Sequence, residues 1–260
     1  MGAGAGSRPS YSFDAILFEP SIRHLIAAAR PHAGESVLDL ACGSGIAACK
    51  AGALTGPLGR VCGVDIGPNV LKKAAGFYTG QAPAAWVRAD MADLPFIDGS
   101  FRLVLNHQGL QFAADRAAAV REMRRVTAPG GRLVLMCWAH IADCPFFLAL
   151  RDVLGTHLGE GAAAFAGAPF ALPDEGDLHA ALASGFAKVS ITRVSVRTAH
   201  PSAGAFAAAF LRYLPADVAD AAACARQEPA IVAEMDRRLG PWQVGGPLLA
   251  PIVSHLAVCR

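Results

Sequence analysis

The residues best suited to chemistry gather where a short apolar run meets a glycine loop, Val37-Leu38-Asp39-Leu40-Ala41-Cys42-Gly43-Ser44-Gly45. A strand must turn sharply into a helix there. Gly43 and Gly45 permit positive φ and let the backbone approach a ligand closely. The helix that follows offers unpaired N–H groups to a carboxylate or phosphate. Gly43-Ser44-Gly45-Ile46-Ala47-Ala48 also fits the dinucleotide fingerprint, and Asp65 stands about 20 residues on, at the end of a second strand. A carboxylate at that place accepts both ribose hydroxyls of any adenosine, so NAD and S-adenosylmethionine fit equally well.

Three further features separate the two ligands. Asp39 lies inside the strand end, four residues before Gly43. Its charge would repel a pyrophosphate and attract the ammonium of a methionine moiety. Ala89-Asp90-Met91 closes a third strand, where a carboxylate can take the adenine amino group while backbone and apolar side chains hold the ring. Pro129-Gly130-Gly131 precedes a fifth strand in a way that dehydrogenases do not require. Tyr11, Tyr78 and Tyr213 also lack the lysine four residues on that a common oxidoreductase device needs.

The elements that must position these groups alternate. Residues 15–30 read as one or two helical turns broken at Pro20. Strands are expected at 36–41, 60–66, 84–90, 101–108 and 132–138. Helices are expected at 46–54, from Pro68-Asn69, and at 113–126, the last closed by Ala128-Pro129-Gly130-Gly131. Near-continuous apolar strands between helices imply a parallel sheet covered on both faces. Beyond residue 140, helices at 144–158 and 174–184, a strand at 187–199, an alanine-rich helical stretch at 202–239 and a strand at 251–260 follow. A chain ending on a strand after a helical excursion places that excursion as a cap over the carboxyl edge of the sheet, where ligands bind in open α/β folds. The domain reading is a tail or lid at 1–14, a core at 15–200, a helical cap at 201–245 and a final core strand at 246–260.

Composition narrows the classes. The 260 residues are 53% hydrophobic and 17% charged, with a net charge of +2. No block of like charges gives a nucleic-acid footprint. No apolar run reaches the ~18–20 residues of a membrane span, and MGAGAGSRPS has no signal-peptide h-region. The seven cysteines are scattered, without a CxxC pair, as expected for reduced thiols in a cytoplasm. Cys137, His140 and Cys144 lack zinc-site spacing, so no metal is expected.

The series VLDLACGSG, GVDIGPNVL, RADMADLPF, FRLVLNHQGLQF and REMRRVTAPGGRLVLMCW, in that order, resembles the UbiE-like (type 11) family of S-adenosylmethionine-dependent class I methyltransferases. Gly67 and Val70 depart from residues common in such proteins. The resemblance implies a Rossmann-like α/β fold whose seven-stranded sheet has its last strand antiparallel. It places Asp39, Ala41, Cys42, Gly43 and Gly45 around the methionine part, Asp65 on the ribose and Ile66 against adenine. Ala89, Asp90 and Met91 fall at the adenine edge, and Asn106 near the methyl group.

His107, directly after the fourth strand, is the expected general base, a role worth typically ~10²–10⁴ in rate. Gln108, Gln111, Trp138, His140 and, as part of a lid, Tyr11 with Phe13 are the expected acceptor contacts. His200, Phe206, Phe210 and Tyr213 are expected to fill the cap. The expected reaction is O-methylation of a small apolar or aromatic natural-product or quinone-like acceptor, with S-adenosylhomocysteine as by-product. C- or N-methylation, a NAD(P)-dependent oxidoreductase and a non-catalytic scaffold are the alternatives. The expected setting is cytoplasmic, without nucleic acid and compatible with a homodimer.

Overall fold

In the computed structural model, which describes residues 13–243 and 245–260, the chain opens with α1 (Phe13–Ala29). β1 (Ser36–Leu40), α2 (Ile46–Thr55), β2 (Arg60–Asp65), α3 (Pro68–Phe77) and β3 (Ala84–Arg88) follow. Next come β4 (Phe101–His107), α4 (Arg116–Val126), β5 (Thr127–Trp138), α5 (Pro145–Leu158), α6 (Glu160–Gly167) and α7 (Glu175–Ala183). β6 (Val189–His200), α8 (Ala203–Leu211), α9 (Ala221–Leu239) and β7 (Leu248–Cys259) complete it. All seven strands form one sheet in the order β3-β2-β1-β4-β5-β7-β6. β1 to β5 pair in parallel, and β7 runs antiparallel to both β5 and β6. The strand order reverses between β1 and β4, the kind of point at which open α/β sheets bind ligands.

Both faces of the central strands are buried, which is why β1, β2, β4 and β5 read as near-continuous apolar runs. Leu38, Leu40, Val104 and Leu133 point to the layer of α4 and α7. Val37, Leu103, Leu105 and Val134 point to the layer of α1 and α2. Each such side chain contributes roughly 1.5–3 kcal/mol when fully buried. α5, α6, α8 and α9 enclose a third apolar cluster around Phe146, Phe147 and Phe206, joined to the sheet through Trp138. Residues 248–253 of β7 pair with β6 alone, so this two-stranded extension carries the helices past the end of β5.

Several boundaries differ from expectation for identifiable reasons. α1 runs unbroken through Pro20. The interior proline costs roughly 3 kcal/mol, but Leu17, Ile22, Leu25 and Ala29 bury one continuous helix face. Ala128-Pro129-Gly130-Gly131 forms a bulge in β5, where pairing jumps from Phe101–Thr127 to Leu103–Arg132; α4 ends at Val126 as expected but starts at Arg116 and not at 113. The alanine-rich stretch divides into α8 and α9, α6 was not anticipated, and β7 starts three residues before the expected 251. No helix of the described residues is long and apolar enough to cross a membrane.

One ion pair fixes the exit of α1. Arg132 donates from Nε to the carbonyl of Ala29 at 2.6 Å and from Nη2 to that of Arg30 at 2.7 Å, and its Nη1 reaches Glu35 Oε1 at 2.9 Å. The guanidinium therefore serves carbonyls at the C-terminal end of a helix, where both hydrogen bonding and the helix dipole favour a cation. Burial of Glu35 opposes its charge, yet hydrogen bonds from Arg132 and the His32 N–H hold its carboxyl below the usual range. A lowered carboxylate contributes stability that is present above the unfolded value and lost as pH falls through the folded one. Replacing Arg132 by Met should therefore lower the melting temperature by roughly 5–10 °C at pH 7, about 2–3 kcal/mol. In calorimetric melts the deficit should shrink toward pH 3; a deficit independent of pH would refute this account.

Candidate functional site

At the carboxyl edge of the sheet, β1 leaves through a loop of left-handed backbone. Ala41, Gly43 and Gly45 have φ of 52°, 53° and 78°. Such a conformation is uncommon for alanine and marks stored strain. A Cβ on Gly45 would meet Ala74 and Trp86 at 3.0 Å, so that position is closed to side chains by both backbone and space. Asp39 lies just below, 1% exposed, and its Oδ2 accepts the Ala48 N–H at 2.9 Å. Burial is the main cause that lifts its carboxyl to about 7, and the nearby charge of Asp65 adds to it.

Asp65, at the end of β2, ties two loops together. Its Oδ2 accepts the Gly43 N–H at 3.1 Å and its Oδ1 the Gly67 N–H at 2.9 Å. Each carboxylate oxygen keeps further acceptor capacity. Asp90 is exposed and turns the chain after β3 by accepting the Ala92 N–H at 2.9 Å.

His107 ends β4 and meets α1. Its Nε2 lies 2.8 Å from Ser21 Oγ, and the Phe18 ring stands edge-on to the imidazole at 5.6 Å. Burial pushes its pKa down to about 3, so the ring is neutral at ordinary pH. The next residue, Gln108, takes φ 56°. Its amide is held on both ends, Nε2 donating to Ser254 Oγ at 3.2 Å and Oε1 accepting from Gln111 Nε2 at 3.0 Å.

Three cavities meet at Gln108. One of about 290 Å³ is walled by Phe18, Asp39, Gly43, Ser44, Lys73 and His107 among others. A second, about 420 Å³, lies beyond Ala41 between Asp65, Ile66, Asp90, Met91 and Phe112. A third, about 340 Å³, is enclosed by Phe18, Trp138, Phe147, Phe165, Phe210 and Tyr213, with Gln108 at its polar end. Phe18 separates the first from the third and stacks on Trp138 at 6.1 Å.

The expected residues distribute unevenly over this geometry. Asp39, Ala41, Cys42 and Gly43 line the first cavity, as does His107. Asp65, Ile66, Ala89, Asp90 and Met91 line the second, and Trp138 the third. Gly45 is the N-cap of α2 and lines none of them. Asn106, expected near the methyl group, is fully buried instead. Its Nδ2 donates to Leu40 O and its Oδ1 accepts the Leu110 N–H, both at 2.9 Å, so it braces β1 against β4. Gln111 is buried behind Gln108 and acts through it. His140 is exposed and accepts the Ala142 N–H with its Nδ1, capping the turn after β5. Phe206 and His200 pack in the apolar cluster with Phe146, whereas Phe210 and Tyr213 line the third cavity. Tyr11 and the side chain of Phe13 lie outside the described residues. Sequence reasoning missed Phe18, Ser21 and Lys73. Phe18, Ser21 and Ile22 fall at i, i+3 and i+4 and so share a helix face, as do Val70 and Lys73, which both reach the first cavity; that spacing was the available signal.

Over residues 38–135 the chain matches a family model described as a methyltransferase domain. It is 35% identical over 106 residues to the 2-phytyl-1,4-naphtoquinone methyltransferase of Trichormus variabilis, a match covering 40% of this chain and 46% of that protein. It is 39% identical over 106 residues to the ubiquinone/menaquinone biosynthesis C-methyltransferase UbiE of Pseudomonas putida, covering 40% and 41%. The chain thus spans less than half the length of either relative. The crystal structure of the YcgJ protein of Bacillus subtilis superposes with a TM-score of 0.59 at 19% identity, over 92% of this chain and 96% of that one, a likeness of fold.

The raised pKa of Asp39 has a measurable cost. The unfolded chain releases this proton near 3.8, whereas the folded one keeps it to about 7. Between those values the folded state binds more protons, so stability falls as pH rises. Asp39→Asn keeps an acceptor for Ala48 and removes the charge. Its melting temperature should match wild type near pH 4 and exceed it by several degrees at pH 8, on the order of 4 kcal/mol at most. Thermal melts of the ligand-free protein at both pH values test this; a variant that melts at or below wild type at pH 8 overturns it.

Proposed function

With residues 38–135 a methyltransferase domain on a Rossmann-like class I fold, we propose that this chain is an S-adenosylmethionine-dependent enzyme. Its acceptor in this reading is a small, apolar, quinone-like molecule. The observation that carries the reading is the meeting of three chemically different cavities at Gln108. The first offers a buried carboxylate, Asp39, and a cation, Lys73, along its wall, the charge pair that complements a zwitterionic amino acid. The second offers Asp65, with spare acceptor capacity for two hydroxyls, and an apolar slot at Ile66 and Met91. The third is apolar and mostly aromatic, with Gln108 as its polar group. The residues present therefore fit the methionine part, the adenosine part and an apolar acceptor respectively.

When bound, S-adenosylmethionine supplies a methyl group already activated on a sulfonium, which leaves S-adenosylhomocysteine after transfer. The protein's own work is alignment and exclusion of water, and alignment can supply roughly 7–11 kcal/mol of barrier reduction. Phe18, Trp138 and Phe147 hold an acceptor dry and flat against the first cavity. Gln108, its amide fixed by Ser254 and Gln111, presents its remaining N–H to an acceptor oxygen. His107 receives the acceptor's proton. As a neutral ring it adds no positive charge beside a sulfonium.

Oxygen is the expected methylated atom on general grounds. The name of the Pseudomonas putida relative, a C-methyltransferase, favours carbon as the second reading. Both atoms of an ionised quinol are nucleophilic, and both need the same base. A pyrophosphate brings no cation to the buried Asp39 carboxyl, whereas an ammonium does, which argues against NAD(P).

Calorimetric titration tests the donor. S-adenosylmethionine or S-adenosylhomocysteine should bind at micromolar affinity, Asp65→Ala should weaken this at least tenfold, consistent with ~1.5–3 kcal/mol for a charged hydrogen bond, and NADH should give no heat. Binding of NADH without the sulfonium would sink the proposal. With 1,4-dihydroxynaphthalene as acceptor and a methyl-labelled donor, Phe165→Ala should raise the acceptor KM several-fold and leave the donor Kd unchanged. NMR of the product decides between oxygen and carbon.

A further inference from the structure

We propose that Ser21 is a positioning residue, which fixes His107 as the Nε2–H tautomer and thereby makes Nδ1 the atom that takes the acceptor's proton. The inference rests on reading the cavity as a methyl-transfer site, but its geometry belongs to the free protein.

Ser21 is 2% exposed on the inner face of α1. Its hydroxyl has a single hydrogen, and the carbonyl of Phe18 in the preceding turn, which can only accept, lies 2.9 Å from the oxygen. The same oxygen lies 2.8 Å from His107 Nε2. With its hydrogen committed to Phe18, Ser21 can only accept, so Nε2 must carry the ring hydrogen. Nδ1 then holds the lone pair. It has no hydrogen-bond partner among the described residues and is not among their sealed, unpartnered polar atoms, so it opens to the cavity that His107 lines. The perpendicular ring of Phe18 at 5.6 Å stands against the imidazole and resists its rotation. Burial, which keeps the ring neutral below ordinary pH, leaves that lone pair available whenever an acceptor arrives.

The proton balance follows. The acceptor's O–H or C–H bond breaks, its electron pair forms the new bond to the methyl carbon, and the pair of the old methyl–sulfur bond stays on sulfur. The proton resides on Nδ1 and passes from there to water. While it resides there, the imidazolium donates from Nε2 to Ser21 Oγ, which donates on to a helix carbonyl, and a charge-assisted bond of this kind is about twice as strong as a neutral one.

Long-range ¹H–¹⁵N correlation spectra of the imidazoles at pH 7 test the inference without donor or acceptor. His107→Gln identifies the His107 signals among the eight histidines. Wild type should show a protonated Nε2 and a bare Nδ1, and Ser21→Ala should show averaged tautomers, with Ser21→Thr returning toward the wild-type pattern. A protonated Nδ1 in wild type, or an unchanged spectrum in Ser21→Ala, overturns it. Should Ser21→Ala fail to fold, the wild-type spectrum alone decides. Failure of the donor titration would leave the tautomer result standing, so the two proposals fail separately.

Discussion

The amide of Asn106 is the joint on which the site hangs. β1 and β4 are neighbours across the point where strand order reverses, and both must release their chains in opposite directions over a shared edge. Asn106 is buried at that edge and satisfies one carbonyl of β1 and one N–H of the turn beyond β4. A Cβ on Gly109 would collide with this amide and with the Ala41 methyl, so the backbone at Gly109 is packed directly against both. Both strands then leave through non-glycine residues in left-handed conformation, Ala41 and Gln108. Strain of this kind persists only where surrounding contacts over-determine it, and the amide supplies those contacts. Every cavity of the site opens beside one or both of these residues.

Electrostatics completes what the backbone begins. Asp39 and His107 are both forced toward their neutral forms by burial. One is an acid that charges easily only when a cation approaches; the other is a base that stays uncharged until it takes a proton. An ammonium beside the first and a proton donor beside the second therefore each restore a charge that folding had suppressed. The free protein holds both groups away from their preferred states, a cost consistent with binding and not with stability.

Strand chemistry was legible in the sequence because both faces of the central strands are buried, and Val37 to Leu40 or Leu103 to Leu105 can hardly be anything else. The glycine loop was legible because positive φ restricts residue choice. Asn106 was misplaced because an amide at a strand end looks alike whether it faces a ligand or a carbonyl; only the register of β1 against β4 tells them apart. α1 was read as broken because Pro20 weighs heavily in local propensity, while the long apolar face that overrides it depends on the sheet beneath. Phe18 and Ser21 share a helix face with Ile22, a spacing that marks the face but not what the face meets. Their partners, His107 and Trp138, lie about 90 or more residues away, beyond the reach of any local pattern.

The antiparallel seating of β7 has a temporal consequence. β5 pairs on one side with β4, formed from the segment just before it, but on the other side with residues as distant as Cys259, which faces Leu133. β6, though made earlier than β7, has no place against β5 and pairs only with β7. During synthesis the inner edge of β5 therefore stays bare while the whole helical excursion emerges, and an open apolar edge invites pairing with other chains. The Rossmann half with its glycine loop can assemble early, yet the gap between β5 and β6 is filled by one late strand. Vulnerability to aggregation at the β5 edge should thus fall in that interval, in nascent chains, and end when β7 covers it and leaves β3 and β6 as the edges of the sheet.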